Sequence, residues 1–104
     1  MIVAFSISPG APDDDGSVSA AVAEAVEVVR RSGLPNETNA MFTNIEGEWD
    51  EIMPVIKAAV DVVVAKSPRV GLVLKADIRP GFTGQLTEKV RRIEQHLAGR
   101  ADGS

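Results

Sequence analysis

Between Thr43 and Met53 a two-residue alternation turns into a helical repeat, and this change of period constrains the architecture more than any other segment of the chain. Four acids, Glu46, Glu48, Asp50 and Glu51, and the single tryptophan, Trp49, lie at the change-over. Acidic side chains where a strand hands over to a helix suit the positive N-terminal end of the helix dipole. They are equally well placed to meet a cationic or hydrogen-bonding ligand. On the residues alone both readings stand.

The segments on either side repeat the same two periods. Ile2 to Ser8 alternates, with Val3, Phe5 and Ile7 on one face and Ile2, Ala4, Ser6 and Ser8 on the other, which predicts a half-buried strand. A breaker-rich acidic loop, Pro9 to Gly16, follows, with Ser17 as the expected N-cap of a helix from about Val18 to Ser32. Val18, Val22, Ala25, Val26 and Val29 form its apolar stripe, and Gly33 is placed to end it. Two short strands, Asn36 to Ala40 and Phe42 to Gly47, read as a hairpin turning near Met41.

A second helix is expected to begin near Glu48 to Asp50, because Ile52, Met53, Ile56, Ala59, Val60 and Val63 recur at helical spacing and Pro54 is tolerated only in the first turns. Lys66-Ser67-Pro68 breaks it. Arg69 to Asp77 then alternates as a strand with Val70, Leu72, Leu74 and Ala76 on one face. A third helix, from about Gly84 to Leu97, carries Leu86, Val90, Ile93 and Leu97 on one stripe, with Thr83 as cap and Gly99 as stop. The order βαββαβ plus a helix matches the α+β, ferredoxin-like plan: a four-stranded antiparallel sheet with two helices on one face and an additional C-terminal helix. Residues 1–98 make a single domain in this reading and 99–104 a flexible C-terminal tail.

In that plan the sheet's other face carries Ile2, Ala4, Ser6, Ser8, Val73, Lys75 and Asp77. It is partly apolar, so a second sheet or subunit is expected to cover it, and the chain is expected to be a homo-oligomer. A net charge of -4 gives no field that would draw the chain to phosphate backbones, so no nucleic-acid partner is expected. No segment approaches the length of a membrane span, and no membrane insertion is expected. The absence of cysteine excludes thiolate catalysis and disulfides and fits a cytoplasmic protein. His96, the sole histidine, sits near a helix end without converging ligands, and Asp13-Asp14-Asp15 lacks the spacing of a calcium loop, so no metal site is expected. Phosphate cradles and nucleophile elbows are absent from the sequence, and no catalytic residue is assigned.

Several stretches together resemble the small thiamine-binding protein family. They are Met1 to Pro9, Ser17-Val18-Ser19 with Val22 to Val26, Ser32-Gly33-Leu34-Pro35, Thr43 with Ile45 to Met53, and Arg69-Val70 leading to Lys75. The resemblance extends to about Leu97, and the Ile-Glu-Gly-Glu-Trp-Asp-Glu run after a threonine is its most specific element. It implies a ferredoxin-like fold, a dimer of dimers, and binding of thiamine or its hydroxymethylpyrimidine moiety without turnover, in storage, salvage or transport. No cofactor is implied, thiamine being a bound ligand. The chain departs from the family pattern between Asn36 and Thr43, where Phe42 stands in place of a glycine and would fill or reshape a small-molecule pocket, and after Lys75, where Ala76-Asp77-Ile78-Arg79 replaces an acidic pair.

Thiamine carries a fixed positive charge on its thiazolium ring and an aminopyrimidine that both donates and accepts hydrogen bonds. A site for it needs carboxylates, hydroxyls and an apolar or aromatic wall. Glu46 and Glu48 are the candidates for the first, Ser6, Ser8 and Thr43 for the second, and Phe42, Met41 or Trp49 for the third. Each has a plainer alternative: Trp49 as a core anchor, Glu48 as helix-start chemistry, Glu46 as a solvated or paired strand residue, and the serines as strand-end polar groups. Two other functions share the fold, an oligomeric sensor of a different small molecule and a small isomerase-like enzyme.

Overall fold

The computed structural model describes residues 1–10 and 19–102. Its elements run β1 (Ile2–Pro9), α1 (Ser19–Arg31), β2 (Asn36–Thr38), β3 (Thr43–Glu46), α2 (Trp49–Val64), β4 (Val70–Asp77) and α3 (Gln85–Asp102). The sheet order is β2-β3-β1-β4, and every pairing is antiparallel. This is the ferredoxin-like βαββαβ arrangement with a third helix added. The expected acidic turn Asp13 to Gly16, the Ser17 cap and Val18 lie outside the described residues.

One face of the sheet packs on α1 and α2. Val3, Phe5 and Ile7 from β1 and Ile45 from β3 meet Ala21, Ala25 and Val29 from α1 and Ile52, Ile56, Ala59 and Val63 from α2, all of them buried. The alternation in β1 thus resolves as read, and the aliphatic core follows from a chain that is only 4% aromatic. Gly33 closes α1 in the left-handed conformation, φ 80°, where a side chain would be strained. At the end of β1, Gly10 lies against Arg69: an added Cβ would stand 2.7 Å from the Arg69 carbonyl oxygen, so only glycine fits. Ser67 ties the same corner, accepting from the Gly10 N–H and donating to the Arg69 carbonyl.

Three expectations change. Leu72 and Leu74 lie opposite Ile7 and Phe5 and so share the helix-facing side, yet both are exposed. β4 is an edge strand whose ends, at Val70 and Ala76, are partly buried against the core while its middle is not. Gly99 does not stop α3, which continues to Asp102. Nor does the Thr83 hydroxyl cap that helix: its first N–H groups are held by Glu46, a residue 39 positions away in sequence from Gln85. Along α3 the stripe of Val90, Ile93 and Leu97 is exposed. The middle of β4 and this stripe each leave apolar side chains exposed, and the radius of gyration of 16.4 Å exceeds the roughly 13 Å of a compact domain this long.

Candidate functional site

The hairpin between β2 and β3 is built from polar residues of low strand propensity, and its side chains supply the bonds that the short ladder lacks. Asn36 pairs with Ile45, Glu37 with Asn44 and Thr38 with Thr43. The Thr38 and Thr43 hydroxyls lie 3.1 Å apart in a hydrogen bond. Asn39 closes the loop: its N–H donates to the Phe42 carbonyl, and its Oδ1 accepts from the N–H groups of Met41 and Phe42, each at 2.9 Å.

This loop forms one wall of a groove of about 350 Å³, whose floor is the second half of β1 and whose far wall is α1. Phe5, Ile7, Val22, Ala25, Val26, Met41 and Phe42 give it an apolar lining, Thr38 and Thr43 bring hydroxyls, and Ser6, Ser8 and Asn39 border it. Thr43 is buried at the groove's base, Ser6 and Phe42 are half-buried, and Met41, 73% exposed, stands on the rim. A concave, mostly apolar cleft with a few convergent hydrogen-bonding groups is the usual form of a small-molecule site.

Of the seven residues singled out from sequence, the structure brings Ser6, Ser8, Phe42 and Thr43 together in this groove. Glu46, Glu48 and Trp49 stand apart from it. β3 carries Glu46 three residues beyond Thr43, about 10 Å along the strand, on the sheet face opposite the helices. There it is only 6% exposed, and its carboxylate accepts the N–H of Gln85 at 2.9 Å and that of Leu86 at 3.5 Å. Placing an anion at the positive end of an 18-residue helix satisfies the donors that no helical carbonyl reaches.

Glu48 is the exposed N-cap of α2, where the Glu51 carboxylate accepts its N–H at 3.0 Å. Trp49 opens that helix and is 53% exposed, so it is neither a core anchor nor a wall of the groove. Helix-start chemistry therefore accounts for the acidic run, with Glu46 serving one helix and Glu48 and Glu51 another. Asp77 pairs with Lys89 of α3. Among the described residues no cluster of three or more His, Cys, Asp and Glu side chains is arranged to hold a metal ion, and no helix is long and apolar enough to cross a membrane.

Sequence reasoning left Thr38, Asn39, Val22 and Val26 out of the site. The valines were read as helix core, and nothing in a helical stripe marks the part that overhangs a cleft. Asn39 had a usable signal: an asparagine at the start of a hairpin loop commonly accepts from the backbone two and three residues ahead.

Comparison with known proteins agrees with this architecture. The family profile described as thiamine-binding protein matches residues 3–94. A UPF0045 protein of Mycobacterium bovis is 50% identical over 99 residues, covering 93% of this chain and 94% of that protein. The crystal structure of a hypothetical protein from Methanocaldococcus jannaschii superposes with a TM-score of 0.79 at 35% identity, over 89% of this chain and 94% of the other. A Thermotoga maritima protein, provisionally assigned to thiamine biosynthesis or salvage, superposes with a TM-score of 0.75 at 27% identity, over 88% of this chain and 96% of the other. Profile, relatives and fold agree over nearly the whole length, and the chain belongs to the thiamine-binding protein family.

Proposed function

We propose that the protein binds thiamine or its hydroxymethylpyrimidine moiety, without chemical turnover, in the groove between β1, α1 and the Asn39–Phe42 loop. The observation that carries this reading is an apolar cleft walled by the Phe42 ring and the α1 valines, with the paired Thr38 and Thr43 hydroxyls in its lining. Hydroxyls both donate and accept, as an aminopyrimidine requires, and the Phe42 ring and the valines of α1 offer flat apolar surface to its faces. The described lining includes no carboxylate, imidazole or amine, the groups that general acid–base chemistry uses, which favours binding over catalysis. It also favours recognition through the pyrimidine, with the thiazolium ring directed toward the groove's mouth.

Isothermal titration of the purified protein with each compound tests this. Both are expected to saturate, each excluding the other because they share the pyrimidine. Failure of hydroxymethylpyrimidine to bind or to compete would sink the reading.

The same proposal includes self-association, through β4 and α3. Leu72, Val73, Leu74 and Ile78 in and just after the edge strand, and Val90, Ile93 and Leu97 on α3, present more apolar surface than a monomer ordinarily leaves in water. Ile93→Asp is expected to shift the sedimenting mass toward the monomer with little loss of helicity, since Ile93 is 60% exposed within the protomer. An unchanged mass would place the contact elsewhere.

A further inference from the structure

The turn at the tip of the groove's outer wall is organised largely around one side chain. β2 is three residues long, Ala40 and Met41 are exposed, and the connection from Thr38 to Thr43 crosses solvent. Inside the turn, between the paired strand ends, the Asn39 N–H donates to the Phe42 carbonyl at 2.9 Å. Thr38 and Thr43 pair at its ends, their hydroxyls 3.1 Å apart, and the two remaining bonds of the turn converge on Asn39 Oδ1, which accepts from Met41 and Phe42 at 2.9 Å each. Those bonds turn both N–H groups inward and leave the two side chains on the groove.

We propose that Asn39 is a positioning residue that sets specificity and affinity at the groove, acting through the conformation of Met41 and Phe42 rather than by touching the ligand. The inference rests on the reading of the groove as the pyrimidine site. A preformed wall spares the ligand the entropy of ordering the loop, whereas a loop without the Oδ1 acceptor is ordered only on binding. The role requires an acceptor at this position and makes no use of the amide's own N–H groups. Asn39→Asp therefore preserves it and Asn39→Ala removes it.

The test measures two quantities on wild type, Asn39→Ala and Asn39→Asp: hydroxymethylpyrimidine affinity by titration calorimetry, and hydrogen exchange at the Met41 and Phe42 amides without ligand. Asn39→Ala is expected to weaken binding roughly fivefold or more and to speed exchange at both amides, while Asn39→Asp restores both toward wild type. Three results overturn the proposal while leaving the site reading intact. These are unchanged affinity in Asn39→Ala, affinity lost with exchange unchanged, and Asn39→Asp restoring slow exchange but not affinity, which would mean that the amide contacts the ligand. Wild type that fails to bind the pyrimidine overturns the site reading and the proposal with it.

Discussion

Replacing Glu46 with alanine is expected to destabilise the protein by about 2–3 kcal/mol and to detach the start of α3 from the sheet, while pyrimidine affinity changes by less than about twofold. The carboxylate is almost fully buried and answers the N–H groups of Gln85 and Leu86. Removing it leaves two donors at the helix start without an acceptor, and a charge-assisted bond of this kind is among the costlier ones to lose. In a domain of this size each kcal/mol corresponds to roughly 4–8 °C in Tm, so the shift is easily read in a thermal melt. Faster exchange at the Gln85 and Leu86 amides would localise it. Glu46→Gln, which keeps an acceptor oxygen but not the charge, is expected to fall between the two. Ligand binding abolished with Tm unchanged would return Glu46 to the ligand site and contradict the role assigned here.

The second large effect is expected at Val22. It is half-buried on α1 and faces the groove across from Met41 and Phe42. Val22→Trp adds bulk where a ligand ring would lie, and is expected to cut affinity about a hundredfold or more by direct exclusion. Because the added ring enters open space rather than the packed core, chemical denaturation should move by no more than about 1 kcal/mol. Full-strength binding by a well-folded Val22→Trp protein would place the ligand elsewhere. The two variants are complementary, since Glu46→Ala separates stability from binding in one direction and Val22→Trp in the other.

How far the sequence discloses this arrangement depends on whether each feature is local. Alternation in β1 and the helical stripes of α1 and α2 are local periodicities, and they identify Val3, Phe5, Ile7, Ile52, Ile56 and Val63 as core without reference to any partner. The same alternation assigns Leu72 and Leu74 to the correct face of β4. It cannot tell that the middle of the edge strand is left exposed, because coverage is a property of neighbouring elements.

Glu46 shows the limit most sharply. Its position at a strand end suggests a ligand, solvent or an ion pair as its partner, yet it serves the start of α3, reached through a contact with Gln85 39 residues on. Trp49 illustrates a different limit: it falls in phase with the apolar stripe of α2, yet at the first helical position it stays 53% exposed. The groove was half legible. Ser6, Ser8, Phe42 and Thr43 border the groove, whereas the charge of thiamine draws attention to the acids. The structure instead uses them at helix starts, where backbone N–H groups supply the partial positive charge.

The central claim, that ligand is recognised in the groove and not at the acidic segment, is tested most directly by following the protein's NMR resonances as hydroxymethylpyrimidine is added. The account predicts saturable shifts at the Ser6, Ser8, Phe42 and Thr43 amides and the Val22 and Val26 methyls, with the Trp49 indole and the Glu48 amide unmoved. Saturable shifts centred on Glu48 and Trp49, with the groove resonances still, would contradict it.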